Sequence, residues 1–385
     1  MDVEIGLGKK ARRAYGFDDV AIVPSRRTRD PDDVDIGWKL GDHLLELPLL
    51  ASAMDGVVSP KTAIEIGKLG GLGVLNLEGI FTRYTNADAE LERIAKLSPQ
   101  QATRGMQEIY ARPIDPDLIP KRIAEIKAAG VLAAGALTPQ RVRDYYPAAR
   151  EAGLDILVIQ GTVVSAEHVS SNGSALNLKE FIASLDIPVI VGGCASYHGA
   201  LHLMRTGAEG VLVGVGPGAA CTTRGVLGVG VPQATAIAAA SAARAQHLLD
   251  TTRYVNVIAD GGMRTGGDIA KAVACGADAV MVGSPLARAH DAPGRGYHWG
   301  MATFHPTLPR GARVKVDLAG SLHEILVGPA RENDGTLNLM GALRTSMATC
   351  GYENIHEFQR AEIALAPALK TEGKALQQAQ RIGMG

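Results

Sequence analysis

The chain has 385 residues and a formal net charge of −1 at neutral pH, which argues against a nucleic-acid-binding or membrane-surface protein but leaves room for a local phosphate site. Hydrophobic residues make up 46% of the chain and aromatic residues only 4%. The core must therefore consist of Val, Ile, Leu and Ala, as in parallel sheets that helices cover on both faces.

The four cysteines are too far apart to form a CxxC pair, so we expect neither a zinc site nor a disulfide framework. The first 16 residues lack the apolar segment of a secretory signal, and no apolar run is long enough to span a membrane. These features predict a soluble, cytoplasmic protein.

In chain order, a strand-like lead-in at Tyr15–Ser25 is followed by apolar runs that alternate with helix-forming segments. The runs begin at residues 47, 72, 131, 156, 188, 210, 255 and 279. The predicted helices are a first one between Ser59–Pro60 and Gly70–Gly71, and then Ala87–Leu97, Pro120–Ala129, Thr138–Ala152, Leu176–Leu185, Ser196–Thr206, Pro232–Leu249 and Gly267–Cys275.

Alternation of strands and helices predicts a parallel sheet, and eight such units predict a closed (β/α)8 TIM barrel. A doubly wound open sheet is the alternative, but no GxGxxG follows the first strand. Beyond the barrel we predict a lid at Ala289–Val327, a helix at Thr336–Cys350 and a polar helical tail at Ala361–Gln380. The whole chain, residues 1–385, is expected to be one catalytic domain.

Catalytic groups of such barrels lie at the carboxyl ends of the strands. We expect six strand ends to meet at one rim: Ser52–Asp55, Gln160–Thr162, Gly192–Cys194, Gly214–Thr223, Asp260–Gly262 and Gly283–Ser284.

The glycine-rich stretch Gly214–Gly230, here called the cysteine loop, carries one thiol, Cys221, next to two threonines and Arg224. A lone cysteine is more often a small core residue than a nucleophile. Its place in a polar, glycine-rich loop at a strand end favours a nucleophile.

The segments Asp260–Gly262 and Gly283–Ser284 follow the seventh and eighth strands, where barrels commonly bind phosphate through backbone N–H groups. Asp260 could bind ribose hydroxyls or cap the next helix. Cys194 is either a second thiol near the site or a packing residue. Histidines in the lid, such as His298 and His305, are more often solvated than catalytic.

Six motifs together resemble the IMP dehydrogenase/GMP reductase family, from about Tyr15 to Leu286: YGFDDVAIVP, ASAMDGVV, GPGAACTTR, GVGVPQATA, VIADGGMRTGGDIAKA and GADAVMVGSPLA. The segment Tyr84–Pro120 is too short to hold the paired CBS regulatory insertion of typical IMP dehydrogenases. The chain therefore resembles the insertion-less, IMP dehydrogenase-related branch of the family.

The resemblance implies that Cys221 attacks C2 of IMP, that NAD accepts a hydride, and that a covalent thioimidate is hydrolysed to XMP in guanine nucleotide biosynthesis. It implies catalytic roles for Thr223 and Arg310 and a homotetramer or homo-octamer. The implied substrate-binding residues are Ser52, Met54, Asp260, Gly262, Gly283, Ser284, His298, Gly300 and Met301. The implied cofactor contacts are Gln160, Gly161, Thr162 and Cys194. Carbonyls of Gly216, Gly218 and Cys221 resemble the family's potassium site, which Glu372–Gly373 of a neighbouring subunit would complete.

Some positions depart from the family pattern. Arg310–Gly311 stands where dehydrogenases carry an Arg–Tyr pair, and His298 replaces a tyrosine. Phe304 stands where reductases carry a catalytic glutamate, and the next acid is Asp317. Because ammonia release then lacks its proton shuttle, we expect a dehydrogenase rather than a GMP reductase that converts GMP to IMP with NADPH. A catalytically silent, nucleotide-binding regulatory homologue is a further alternative, against which Cys221 and Thr223 argue.

Overall fold

The computed structural model describes residues 2–169, 176–366 and 372–380. Eight parallel strands form a closed barrel in which each strand pairs with the next along the chain and the last pairs with the first. This confirms the predicted (β/α)8 barrel. The strands are β1 (Leu49–Ala51), β2 (Leu72–Asn76), β3 (Ala134–Leu137), β4 (Ile156–Gln160), β5 (Val189–Cys194), β6 (Gly210–Val213), β7 (Asn256–Asp260) and β8 (Ala279–Val282).

Side chains alternate between the two faces of each strand. One set fills the barrel interior, and it includes Leu50, Val74, Val158, Leu212 and Met281. The other set packs outward against the helices. Because both faces are buried, the strands read in the sequence as continuous apolar runs rather than as alternating ones.

A short hairpin closes the lower end of the barrel. Its strands are Trp38–Leu40 and His43–Leu45, and Trp38, Leu40 and Leu45 belong to the interior cluster. Asn256, the first residue of β7, donates from Nδ2 to the carbonyl of Lys39 at 3.1 Å, which places the hairpin at the amino ends of the strands. The sequence analysis did not predict it, because strands of three residues are too short to show a period.

The predicted helices are present with boundaries shifted by a few residues. The helices are α1 (Pro60–Lys68), α2 (Ala87–Lys96), α3 (Ala102–Tyr110), α4 (Leu118–Lys127), α5 (Val142–Glu151), α6 (Leu178–Ala183), α7 (Tyr197–Met204), α8 (Thr223–Leu227), α9 (Gln233–Thr251), α10 (Gly266–Ala274), α11 (Ser284–Ala287), α12 (Leu322–Leu326), α13 (Leu339–Thr349), α14 (Ile355–Phe358) and α15 (Ala375–Gln380). The structure adds one helix after the second strand, here α3, and four short helices, here α8, α11, α12 and α14. The predicted helical tail is only partly helical.

The helical prediction for Ala361–Gln380 is wrong in its first part. Ile363–Leu365 is a strand that pairs antiparallel with Val20–Ile22 in the lead-in. Local composition could not show this, because the partner strand lies more than 300 residues earlier in the sequence. The helix α15 occupies the end of the predicted segment, and residues 367–371 lie outside the described residues.

The lid is ordered around a small hairpin, Tyr297–His298 with Val314–Lys315, and the helix α12. An isolated backbone bridge between Ala289 and Gly320 joins the first residue of the lid to a residue near its end. A second hairpin, Asp2–Gly6 with Lys9–Arg12, precedes the barrel. Among the residues that the structure describes, none of the helices is both long and apolar enough to cross a membrane.

Candidate active site

A cavity of about 710 Å³ opens at the carboxyl ends of the barrel strands, beneath the lid. All but two of the predicted site residues line it. Those that line it are Ser52, Met54, Gln160, Gly161, Thr162, Gly216, Gly218, Cys221, Asp260, Gly262, Gly283, Ser284, His298, Gly300, Met301 and Arg310. Cavities of this size bind nucleotide-sized ligands.

The cysteine loop begins where β6 ends and places Cys221 two residues before the first residue of α8. The amide of Cys221 donates to the carbonyl of Gly218 at 3.0 Å, which closes a turn around the thiol. A Cβ at Gly214 would lie 2.2 Å from the carbonyl oxygen of Asp260, so only glycine allows the ends of β6 and β7 to approach this closely.

Thr223 does not line the cavity but supports the thiol from the protein interior. It is fully buried, and the thiol of Cys221 donates to its Oγ1 at 3.2 Å. The cysteine is itself half-buried and faces the cavity. The nucleophile is therefore accessible on one side and held by a hydroxyl on the other.

Asp260 ends β7 and lies within reach of Gln160, which ends β4. The Nε2 of Gln160 donates to Oδ2 of Asp260 at 3.2 Å. Burial raises the pKa of Asp260 to about 7, and the bond from Gln160 opposes that rise. The helix that follows β7 is capped by Thr265, whose Oγ1 accepts from the amide of Asp268, so the alternative in which Asp260 caps that helix is wrong.

His298 is a buried, uncharged imidazole on the cavity wall. Its exposed fraction is 1%, and neither ring nitrogen has a hydrogen-bond partner among the described residues. Burial lowers its pKa to about 4. Buried polar atoms are almost always paired, so the unpaired ring nitrogens and the position on the cavity wall make His298 a candidate contact for a bound molecule.

The lid is joined to the cysteine loop through the backbone. Gly311 forms an antiparallel bridge with Cys221. Two backbone hydrogen bonds form this bridge. The amide of Thr222 donates to the carbonyl of Arg310 at 3.2 Å, and the amide of Ala312 donates to the carbonyl of Ala220 at 2.8 Å. Arg310 lines the cavity, and its Nη1 donates to the carbonyl of Leu308 at 3.2 Å.

The comparisons with known proteins agree with this geometry. The model of the IMP dehydrogenase/GMP reductase domain matches residues 14–305. The chain belongs to the IMP dehydrogenase/GMP reductase family.

Similar proteins match nearly the whole chain. An uncharacterized oxidoreductase of Mycolicibacterium smegmatis is 49% identical, over 93% of this chain and 98% of its own length. The inosine-5′-monophosphate dehydrogenase of Methanocaldococcus jannaschii is 27% identical, over 91% of this chain and 92% of its own length. The crystal structure of an IMP dehydrogenase/GMP reductase-like protein from Corynebacterium glutamicum superposes with a TM-score of 0.90 at 45% identity, over 94% and 97%. As a member of the IMP dehydrogenase/GMP reductase family, the protein is an oxidoreductase.

The second half of the cavity, here called the second compartment, is formed by loops after β2, β3 and β4 and by part of the lid. Its side chains include Asn76, Glu78, Arg83, Gln140 and Phe304. The sequence analysis assigned no site role to the first four, although Asn76 ends β2 and Gln140 lies three residues after the end of β3. Reading all eight strand ends alike would have found Asn76, while Arg83 lies seven residues beyond β2 and carries no such signal.

The residues of this second compartment are compatible with a nicotinamide cofactor, NAD in the IMP dehydrogenases of the family and NADPH in its GMP reductases. The compartment belongs to the same cavity as Cys221 and offers polar side chains together with the aromatic ring of Phe304. A Cβ at Gly300 would meet no atom within 4 Å, so the lid backbone faces open space there.

Cys194 is not among the residues that line the cavity. It is buried at the end of β5, and burial raises the pKa of its thiol to about 12. An uncharged, buried thiol favours the packing role over contact with a cofactor. This differs from the implied cofactor contact.

A further residue that sequence reasoning missed holds the ends of two strands together. The Nε2 of Gln233, at the start of α9, lies 3.0 Å from the carbonyl oxygen of Val213 and 3.1 Å from that of Asp260. The motif GVGVPQATA contained the signal, because a glutamine directly after the helix-starting proline is placed to reach back to the rim.

The loop carbonyls implied for potassium are of the ligand type that this ion takes. The carbonyl of Gly218 also accepts the amide of Cys221. The guanidinium of Arg224 lies alongside and donates to the carbonyls of Val215 at 3.3 Å and Val231 at 2.8 Å. The loop therefore offers carbonyl ligands of the type that potassium takes, and it already has one fixed positive charge next to them.

Proposed function

We propose that this protein is an IMP dehydrogenase that oxidises IMP to XMP with NAD. The observation that carries the proposal is the arrangement at the rim: the Cys221 thiol is accessible to the cavity, is held by Thr223, and is joined through the backbone to the lid segment with Arg310. Covalent catalysis followed by hydrolysis requires an accessible nucleophile, a polar group that holds it, and a lid that covers the site.

The first chemical step is an oxidation at C2 of the hypoxanthine ring. The thiol of Cys221 loses its proton, its sulfur bonds to C2, and C2 gives up its hydrogen as a hydride, so the purine loses two electrons. NAD, when bound in the second compartment, accepts that hydride. Thr223 holds the sulfur in place from the protein side.

The second step is hydrolysis of the thioimidate. A water oxygen bonds to C2, the bond between sulfur and C2 breaks, the sulfur regains a proton, and XMP leaves. Arg310 stands where the dehydrogenases of the family carry the arginine that activates this water. The bridge between Gly311 and Cys221 supports the assignment, because it pairs the lid backbone next to Arg310 with the residue that carries the thiol.

The nucleotide is proposed to lie across β1, β6, β7 and β8. Ser52 and Met54 would flank the base and Gly300 and Met301 its edge, while Asp260 would accept the ribose hydroxyls. Gly262, Gly283, Ser284 and His298 would bind the phosphate, a role that the unpaired nitrogens of His298 support. NAD would contact Gln160, Gly161 and Thr162 in the second compartment.

The proposal also includes a potassium ion bound by the carbonyls of Gly216, Gly218 and Cys221. It further includes assembly of the chain into a homotetramer or homo-octamer. A neighbouring subunit would contribute Glu372–Gly373 to the potassium site. The closed turn of the cysteine loop supports an ion that orders backbone carbonyls.

GMP reductase is the second candidate, and one observation favours it. Phe304, which stands at the position of the reductase glutamate, stacks on Tyr110 with ring centroids 3.5 Å apart, so it supplies no acid. Glu78, however, lines the second compartment and accepts a hydrogen bond from the amide of Thr138. It is a carboxylate that could pass a proton to departing ammonia.

The deciding experiment follows nicotinamide absorbance in two cuvettes, one with IMP, NAD and potassium, the other with GMP and NADPH. A rise in the first is the expected result. A fall in the second would replace the dehydrogenase by the reductase and point to Glu78. Silence in both, with IMP bound by calorimetry, would instead indicate a regulatory homologue.

A further inference from the structure

A buried tyrosine outside the barrel strands, Tyr110 at the end of α3, contacts both the loop after β1 and the lid. Its hydroxyl donates to Oδ2 of Asp55 at 2.6 Å and accepts from Nε1 of Trp299 at 2.7 Å. Its ring stacks on Phe304 with an interplanar angle of 5°. One side chain therefore joins three elements that are distant in the sequence.

The first contact fixes the loop after β1, which carries Ser52 and Met54. Asp55 is 1% exposed, and its Oδ2 also accepts from the amide of Ile80 at 3.0 Å. Burial raises its pKa to about 6, and the bond from Tyr110 opposes the rise. A Cβ at Gly79 would lie 2.0 Å from Oδ1, so the chain makes room for this carboxylate with a glycine. A buried carboxylate needs such donors to stay ionised.

The other two contacts fix the lid. Trp299 and Phe304 flank the segment 300–302, all of whose residues line the cavity. Because Tyr110 bonds the indole at one end and stacks on the ring at the other, it holds both ends of that segment. Gln107 on the same helix adds a bond from Nε2 to the carbonyl of His305 at 3.1 Å.

A second anchor connects the lid to the end of α2. The guanidinium of Arg313 lies over the ring of Tyr297, 4.2 Å from its centroid, and donates to the carbonyl of Leu97 at 2.7 Å. The lid thus rests on α2 and α3, within the segment that is too short for a CBS pair.

We propose that Tyr110 is a positioning residue, which sets the lid segment 299–304 and the loop after β1 in the geometry that binds the nucleotide. The proposal rests on the proposed function only for the identity of that nucleotide. The residue does not line the cavity, so it acts through Asp55, Trp299 and Phe304 rather than by touching the substrate.

The test is Tyr110→Phe, which removes the hydroxyl and keeps the ring. Tyr84→Phe is the matched control, since its hydroxyl donates to the carbonyl of Ile109 at 2.8 Å, next to Tyr110 but away from the lid. For both variants of the full chain we would measure the emission of Trp299, assigned by comparison with Trp299→Phe, together with the Kd of IMP by calorimetry and the values of KM and kcat.

Tyr110→Phe is expected to shift the Trp299 emission and to raise Kd and KM for IMP by about tenfold, the size of one lost buried hydrogen bond, with kcat less affected. Tyr84→Phe should leave all of these near wild type. In the double variant Tyr110→Phe/Trp299→Phe the loss of affinity should be smaller than the product of the single losses, because both act through one contact.

Equal behaviour of Tyr110→Phe and Tyr84→Phe in both emission and IMP affinity would overturn the proposal. A wild-type protein that turns over neither IMP nor GMP would instead overturn the proposed function. The emission and binding measurements would still decide the role of Tyr110, since neither requires turnover.

Discussion

The backbone of Cys221 pairs with that of Gly311, so the loop that carries the thiol and the lid that covers it are locally one small antiparallel ladder. Here a movement of the lid at Gly311 must break the bonds at Ala220 and Thr222 that flank the nucleophile.

Replacing Cys221 by alanine should lower turnover by at least about a thousandfold, as expected when a covalent nucleophile is removed, while IMP still binds. Steady-state NADH production and calorimetry measure the two effects. Cys275→Ala is the control, because that thiol lies at the end of α10, outside the cavity. Turnover that survives in Cys221→Ala would exclude the covalent mechanism.

Replacing Arg310 by alanine should slow hydrolysis more than hydride transfer. A rapid burst of NADH should then precede a steady rate about a hundredfold below wild type, the usual loss when a group that assists proton transfer is removed. Stopped-flow absorbance resolves the two phases. Lys315→Ala, an exposed change on the same lid, should show no burst. Equal loss of both phases would move the role to another residue, with Thr223 the first to examine.

The glycine at position 311 should tolerate no side chain. A Cβ there would lie 2.3 Å from Oγ1 of Thr303 and 3.0 Å from the carbonyl of Ala220. Gly311→Ala should therefore displace the lid and lower kcat by about tenfold or more, since small misplacements of catalytic groups are costly. Gly225→Ala, whose Cβ would meet nothing within 4 Å, should leave kcat unchanged. A fully active Gly311→Ala would show that the ladder is dispensable.

Affinity for IMP should depend on pH through Asp260. Its pKa is about 7 in the free protein, and ribose hydroxyls that donate to it favour the ionised form, so binding lowers that pKa and releases a proton. The affinity should fall as the pH drops below 7, approaching about tenfold per unit from this group alone. Calorimetry from pH 8 to 6 measures the Kd of IMP for the wild type and for Asp260→Asn. In the variant, only protonation of the IMP phosphate contributes to the pH dependence of the affinity. Identical slopes in the two proteins would refute a ribose contact at Asp260.

Exchange of potassium for sodium should lower activity and the thermal unfolding temperature together, because the ion would order the carbonyls of Gly216, Gly218 and Cys221. Activity is measured in potassium chloride and in sodium chloride at constant ionic strength. Scanning calorimetry in the same two salts gives the thermal unfolding temperature. If both quantities were indifferent to the ion, the guanidinium of Arg224 would be the resident cation of this loop.

The barrel could be predicted because each strand is an apolar run with a helix-forming segment behind it, and burial on both faces keeps that signal strong. The tail could not be predicted in the same way. Ile363–Leu365 becomes a strand only because Val20–Ile22 lies beside it in the folded chain. The short hairpin of Trp38–Leu40 and His43–Leu45, which forms a plug at the lower end of the barrel, was missed for a related reason. Strands of three residues show no period, and what stabilises them is packing against the interior of the barrel.

At the rim, motifs located the cavity residues that belong to the cysteine loop and to the ends of β7 and β8. Sequence reasoning did not reach the contacts that depend on packing between distant segments. Tyr110 lies on a helix that the pattern did not reveal, and its partners Asp55 and Trp299 are 55 and 189 residues away in the chain. The burial of Cys194 behind the cavity wall likewise depends on how the ends of the strands pack.

The plug at the lower end of the barrel also bears on how water reaches the reaction. Trp38, Leu40 and Leu45 fill the interior at the amino ends of the strands, and layers of side chains from all eight strands lie above them. No solvent route runs up the barrel axis through such a packed column. In the proposed mechanism, the water molecule that hydrolysis consumes would therefore enter through the same mouth as the nucleotide, and the lid would control when the thioimidate is exposed to solvent.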